Sequence, residues 1–262
     1  MPITCPIQFE PLSTEAFGSL DYAVMAHAFA SHQDLGCLAD EYVYQSDFAE
    51  RLVSAGFAVA REVEVTVAFE AYQKYYFLDL VINGLAVYEL KTVSKLLKQH
   101  SSQLLNYLLI LDRERGKLIN FRPMSVESEF VNAPLSGQDR RRFTIEKALW
   151  HGPDRLMAFA QALIADWGTG LELPLYLQGL IHLLGGEELV TVMLPMTRVG
   201  HSIGNQRFNL ADETSAFGLT AFSNSPIGYP SQLLRLLQCS PLQSFHWINI
   251  AHHQLTFSSI AR

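Results

Sequence analysis

The chain has 262 residues, 49% of them hydrophobic and 17% charged, and its formal net charge is -7. This composition can form a buried core and excludes a wholly disordered chain, while the acidic balance disfavours nonspecific nucleic-acid binding. There is no run of about 18 apolar residues and no basic segment ahead of an apolar one, which predicts a cytoplasmic protein without a membrane span or signal peptide. Cys5, Cys37 and Cys239 lack CxxC spacing, so they predict reduced thiols and exclude a disulfide framework or zinc finger.

The first half of the chain has the pattern of two helices, three strands, a third helix and a last strand. The predicted bounds are 15–32 and 40–55 for the first two helices, 62–69, 75–82 and 85–93 for the strands, 95–111 for the third helix, and 117–121 for the last strand. Gly36 and Gly56 are expected helix stops, and Asn83-Gly84 is a strong hairpin signal. A break near Pro134 ends this unit, for which we predict an α/β fold.

The residues after the break repeat the pattern of the first half. The matches include Gly36 with Gly168 and Tyr44 with Tyr176 at a shift of 132 positions, and Ile119-Asn120 with Ile248-Asn249 at a shift of 129. We therefore predict an internal duplication, with one domain at 1–135 and a second at 136–262. The alternative is a chance likeness between two unrelated α/β units.

Three ionisable residues, Asp79, Glu89 and Lys91, interrupt the apolar hairpin. Glu89 and Lys91 are two apart in a strand and therefore share a face. A two-residue loop at Asn83-Gly84 would place Asp79 opposite Tyr88, whereas a three-residue loop or a bulge would place it opposite Glu89; we predict the second register. Buried charges here require either a structural salt bridge or a bound metal. Two carboxylates and a lysine suit a magnesium-dependent hydrolase.

These residues carry a family resemblance. Asp79 with Glu89-Leu90-Lys91 resembles the core motif of the PD-(D/E)XK nuclease superfamily, and the segment from Gln103 to Tyr107 resembles the Q-x-x-x-Y motif of its RecB-like branch. The segment from His32 to Tyr44 resembles the opening of the GxxExxY proteins, although Leu38 stands where that family has a glycine. The resemblance covers about residues 20–122. It implies a restriction-endonuclease-like core, a central mixed sheet flanked by helices, which the duplication would present twice.

The resemblance also implies roles for individual residues. Glu41, Asp79 and Glu89 would be the acids of a Mg²⁺ or Mn²⁺ site, Lys91 the catalytic lysine, and Gln103 and Tyr107 catalytic and substrate-binding groups near the phosphate. Gln103 and Tyr107 are four apart, so a helix would place them on one face. His32 is a further substrate-binding candidate, with a capping or core-edge histidine as the alternative.

The second half lacks the charged groups of the first. At a shift of 130, Asp79, Glu89 and Lys91 fall on Asn209, Leu219 and Ala221, and at 129 Gln103 recurs as Gln232. Apolar side chains cannot ligate magnesium, so we predict a degenerate second copy without catalytic residues.

The predicted function is a metal-dependent nuclease with one active site in the N-terminal half, acting on DNA or RNA, with DNA favoured. The alternative is a nuclease-fold protein that no longer cleaves and serves as a nucleic-acid-binding or protein-assembly module. Lys74, Lys91, Lys95, Lys98 and residues 113–117 predict a basic patch near the site, whereas Arg140 to Arg142 are interpreted as a solvated linker. No membrane partner is expected, and the oligomeric state is left open, a homodimer included.

Overall fold

A computed structural model of the chain describes residues 3–224 and 226–262. These residues form two compact units, the first made of 3–68 and 73–136 and the second of 69–72 and 137–262. Each unit is associated with its own six-stranded sheet. No helix of the described part is long and apolar enough to cross a membrane. Cys5, Cys37 and Cys239 form no disulfide in this structure.

The first half contains three helices around a mixed sheet. The helices are α1 (Thr14–Leu35), α2 (Glu41–Ser54) and α3 (Lys98–Leu111), and the strands are β1 (Ile3–Thr4), β2 (Val59–Phe69), β3 (Tyr72–Ile82), β4 (Ala86–Lys91), β5 (Arg115–Asn120) and β6 (Glu127–Asn132). The strands lie in chain order across the sheet, with β4 and β5 parallel and β3 antiparallel to β4. The predicted elements are present with bounds moved by at most three residues, while β1 and β6 were not predicted.

Local chemistry explains where these helices begin and end. The Ser13 hydroxyl accepts the N–H of Ala16 at 3.1 Å and so caps α1. Gly36, with φ 72°, ends α1 in a backbone conformation that favours glycine, as predicted. Helix α3 begins three residues later than predicted, where the N–H of Leu97 donates to Nδ1 of His100 at 3.0 Å.

The two faces of β4 have different partners. Tyr88 and Leu90 are fully buried in a core that also includes residues of α1 and α2. By strand alternation Glu89 and Lys91 face the other side, as predicted. Val87 shares that side and pairs with Gly116 of β5, where an added Cβ would lie 3.1 Å from Leu104 of α3. Helix α3 therefore covers the face of the sheet that carries Glu89.

The second half also has a mixed sheet flanked by helices. Its helices are α4 (Gly137–Arg140), α5 (Asp154–Trp167), α6 (Leu173–Leu183), α7 (Glu187–Val190) and α8 (Tyr229–Gln238), and its strands are β7 (Thr144–Leu149), β8 (Thr191–Arg198), β9 (His201–Leu210), β10 (Ser215–Thr220), β11 (Ser244–Ile250) and β12 (Gln254–Ala261). The strand order is β7-β12-β11-β10-β9-β8, with β10 parallel to β11. Arg140 corrects the linker interpretation: it is 1% exposed and its Nη1 donates to the Thr169 carbonyl oxygen at 2.9 Å.

The hairpins of the two halves have the same register. Leu80 pairs with Tyr88, and Asn209 pairs with Phe217, each 129 positions further along. By this register Asp79, Glu89 and Lys91 correspond to Phe208, Gly218 and Thr220. The pairings of the two hairpins thus differ by 129 positions, one fewer than the predicted shift of 130. The prediction that no acid occupies these positions is unaffected.

Candidate active site

Glu89 is a fully buried carboxylate near the end of β4, with 0% exposure. Its Oε1 accepts a charge-assisted hydrogen bond from Nζ of Lys91 at 2.7 Å. Its Oε2 is also buried and has no hydrogen-bond partner among the described residues. A buried carboxylate oxygen without a partner is costly, so the lysine satisfies only half of this group. The second oxygen is left for another ligand.

Asp79 lies beside Glu89 because of the hairpin register. The loop between β3 and β4 has three residues, 83–85, and Leu80 pairs with Tyr88, so a continued register sets Asp79 opposite Glu89. The prediction of this register is confirmed. Asp79 Oδ2 accepts the N–H of Leu90 at 2.6 Å, which holds the carboxylate against β4.

Glu41 approaches the same strand end from α2. It is the first residue of that helix, after the N-cap Asp40. Its Oε2 accepts the N–H of Thr92 at 3.1 Å. The carboxylates of Glu41 and Asp79 thus bind the backbone amides on either side of Lys91.

Burial and mutual repulsion alter the proton affinities of these groups. Burial, with the charge of Asp79 adding to it, raises the pKa of Glu89 to about 8. Burial also raises the pKa of Asp79 to about 6, although the Leu90 N–H opposes this. Burial alone would lower the pKa of Lys91, but the charge and hydrogen bond of Glu89 outweigh it, and this pKa is raised. A bound cation would relieve the repulsion among the acids.

We expect the free energy of unfolding of the metal-free protein to decrease as pH rises, because of Glu89. Its folded pKa of about 8 exceeds the ordinary value of 4.5, so between these pH values the folded state holds a proton that the unfolded chain has released. Relative to Glu89→Gln, the wild type should therefore lose free energy of unfolding as pH rises through this window, as measured by urea unfolding in EDTA. A wild-type profile parallel to that of Glu89→Gln would contradict this expectation. Divalent cations compete with the proton, so Mn²⁺ affinity should rise over the same window.

Gln103 and Tyr107 lie on one face of α3, as predicted. Gln103 Nε2 donates to the hydroxyl of Tyr107 at 3.0 Å. Tyr107 is 7% exposed, and burial raises its pKa, with the charges of Glu89 and Asp79 acting in the same direction. The Tyr107 hydroxyl is therefore close enough to the acids to interact with their charge. Gln103, its hydrogen-bond partner, is exposed.

His32 has a different environment. Its Nε2 lies 2.9 Å from the carbonyl oxygen of Pro123, and its ring stacks on Tyr44. In the described part of the chain no contact joins His32 to the acids. These contacts agree with the core-edge alternative for this histidine.

Three residues of the site were not predicted. Gln45, 4% exposed on α2, donates from Nε2 to Oε1 of Glu62 at 2.5 Å and to the backbone oxygen of Asp79 at 3.1 Å. Its Oε1 accepts from Nη2 of Arg61 at 3.2 Å. The charge of Glu62 acts to raise the pKa of Asp79, so a fourth acid is near. A polar residue one turn after Glu41, on the buried face of α2, was the available signal.

The donor set fits a hard divalent cation in its chemistry. Three carboxylates are oxygen ligands of the kind Mg²⁺ and Mn²⁺ prefer, and Oε2 of Glu89 is unpartnered. Among the described residues, however, no group of three or more His, Cys, Asp or Glu side chains converges closely enough to hold a metal ion as it stands. The cation at Glu41, Asp79 and Glu89 stays a prediction.

The fold and site define a class of protein. A mixed sheet flanked by helices, with two acids and a lysine on adjacent strands of one hairpin, is the arrangement implied by the sequence motif. A comparison with protein-family models agrees: residues 19–132 match the PD-(D/E)XK nuclease superfamily. This part of the chain, less than half of it, is therefore a PD-(D/E)XK nuclease superfamily domain. Neither the curated proteins nor the solved structures gave a match.

Proposed function

We propose that the protein is a divalent-metal-dependent nuclease that hydrolyses phosphodiester bonds at Glu41, Asp79, Glu89 and Lys91. The observation that carries the proposal is the buried, unpartnered Oε2 of Glu89, beside a lysine-paired Oε1, at a strand end that also binds the carboxylates of Asp79 and Glu41. A purely structural salt bridge would leave this oxygen unsatisfied at a cost of about 1–3 kcal/mol, whereas a cation would satisfy it. We also propose that this domain is a GxxExxY protein of the RecB-like branch of the superfamily.

The side chains of the site have separate roles in the proposed reaction. The carboxylates of Glu41, Asp79 and Glu89 would hold Mg²⁺ or Mn²⁺, which would supply a Lewis acid for the phosphate. Lys91, fixed by Glu89, directs its remaining N–H donors toward the attacking water or the charge that develops on the phosphoryl group. The Gln103 amide and the Tyr107 hydroxyl, joined to each other on α3, position the substrate phosphate.

We further infer that residues 137–262 descend from a duplicated copy that has lost this chemistry. In support, both halves have a tyrosine eight residues after a glycine that ends a helix, and its hydroxyl donates a hydrogen bond to the carbonyl oxygen of that glycine. The pairs are Tyr44 with Gly36 and Tyr176 with Gly168. Asn120 bonds both backbone groups of Val93, and Asn249 bonds both of Phe222. One active site per chain follows, because Phe208, Gly218 and Thr220 cannot replace the acids and lysine.

A binding or assembly module without cleavage is the second candidate. The observation that favours it is that no described group of acids is already arranged to hold a metal. In that case the Lys91 and Glu89 pair would be structural.

Cleavage by the 262-residue chain separates the two functions. We expect cleavage of labelled DNA or RNA oligonucleotides with Mg²⁺ or Mn²⁺, and none in EDTA. Single strands, duplexes and duplexes with single-stranded ends are compared, each as DNA and as RNA. The absence of cation-dependent cleavage of every one of these substrates would overturn the nuclease proposal and favour the module.

A further inference from the structure

An exposed tyrosine and an arginine form a cation-aromatic pair beside the candidate site. Tyr42 follows Glu41 on α2 and is 71% exposed. The Cζ atom of Arg61 lies 5.5 Å from the centroid of its ring. Arg61 Nη2 donates to the hydroxyl of Ser46 at 2.9 Å, which helps hold the guanidinium over the ring. An exposed aromatic ring next to a fixed guanidinium is a stacking surface for nucleic-acid bases.

One buried side chain joins this pair to the candidate active site. The amide of Gln45 accepts from Arg61 on its oxygen and donates to the backbone of Asp79 from its nitrogen, at 3.2 and 3.1 Å. The guanidinium and the backbone of Asp79 are therefore separated by a single amide group. A nucleotide that contacts Tyr42 or Arg61 would be a close neighbour of a phosphate held at Asp79.

The positive charge of Arg61 would favour the binding of a phosphate next to the acids of the site. Glu41, Glu62 and Asp79 would all repel a phosphate that enters from the α2 side. Arg61 offsets this repulsion, because among the described residues its Nε and Nη1 make no hydrogen bond and remain available to phosphate oxygens.

We propose that Tyr42 and Arg61 bind an unpaired nucleotide next to the scissile phosphate, with the base stacked on Tyr42 and a phosphate on Arg61. This assignment rests on the proposed nuclease function and names its substrate class. A base within a continuous duplex is stacked on both faces, so its ring cannot lie on Tyr42 without leaving the helix. The protein therefore binds and cuts single strands, or single-stranded ends, in preference to continuous duplex.

Fluorescence anisotropy with the 262-residue chain tests this preference. Binding is measured with Mg²⁺ in a Glu89→Gln background, using a labelled single-stranded DNA and the duplex of the same sequence. Tyr42→Ala and Arg61→Ala should each weaken single-strand binding by roughly 5- to 100-fold and change duplex binding little. Tyr42→Phe keeps the ring and should retain the affinity.

Matched controls exist outside the predicted basic patch. Tyr22 is 85% exposed, so Tyr22→Ala removes an equally accessible tyrosine. Arg155 has its Cζ 5.1 Å from the ring of Phe159, so Arg155→Ala breaks a comparable pair that is not part of the predicted basic patch. Both control variants should bind single strands like the background protein.

The outcomes separate this inference from the nuclease proposal. Loss of single-strand binding only in Tyr42→Ala and Arg61→Ala supports the inference even if the wild type never cleaves. Equal effects on single strand and duplex, unchanged binding, or no single-strand binding by the background protein would overturn it. If the wild type cleaves and Tyr42→Ala cuts single strands with an unchanged KM, the inference fails while the nuclease proposal stands.

Discussion

Replacing Lys91 by Met should lower the rate of cation-dependent cleavage by about 10²- to 10³-fold, the usual cost of removing one group that stabilises transition-state charge. Lys91 is held 2.7 Å from Oε1 of Glu89, so its ammonium is fixed before substrate binds. Glu89→Gln should lower the rate at least as much, because it removes a cation ligand while keeping the shape of the side chain. The measurement is the single-turnover rate on the best substrate at saturating protein.

Three features of this result are diagnostic. Extra Mn²⁺ should restore part of the activity of Glu89→Gln, whose defect is in cation binding, and none of that of Lys91→Met. No residual metal-dependent activity should remain in a Glu89→Gln, Lys91→Met double variant, since Phe208, Gly218 and Thr220 offer no second site. Exposed Lys147→Met, on β7, serves as the control. Wild-type rates in Lys91→Met would remove the lysine from the mechanism.

Replacing Lys117 by Met should cost about 3–5 kcal/mol in the free energy of unfolding, because it leaves a buried carboxylate without its counter-charge. Lys117 and Asp21 are each 6% exposed, and Nζ lies 3.0 Å from Oδ2 of Asp21. The same ammonium lies 3.7 Å from the ring centroid of Phe130. Urea unfolding at neutral pH measures the loss.

A double-mutant cycle separates the ion pair from packing. Asp21→Asn combined with Lys117→Met should be less destabilised than the sum of the single variants, by roughly 1–3 kcal/mol. Additive losses would mean that Lys117 acts through the ring of Phe130 and its aliphatic stem alone. Lys98→Met, at an exposed position, should change the free energy of unfolding by no more than about 0.5 kcal/mol.

Lys117 also limits the predicted basic patch. Lys117 belongs to a charged segment, 113–117, that the sequence pattern predicts to be exposed to solvent. In the fold it lies on a central strand against α1 and so contributes no charge to the surface. Arg140 is a second case, bonded to the carbonyl oxygen of Thr169. A run of charged residues indicates an exposed segment only when no residue elsewhere in the chain provides a buried partner for one of the charges. The local sequence pattern does not reveal such partners.

The sequence by itself determined the local features: the three helices and four of the six strands of the first half, the helix end at Gly36, the shared face of Glu89 and Lys91, and the hairpin register of Asp79. Each depends on residues close together in the chain, whose spacing fixes turn and face. Only the tertiary structure decided which distant groups meet. It joined Glu41 to Thr92, linked Arg61 to Asp79 through Gln45, and gave the two hairpins strand pairings 129 positions apart. The physical reason is that helix packing on a sheet, and not periodicity along one element, sets these contacts.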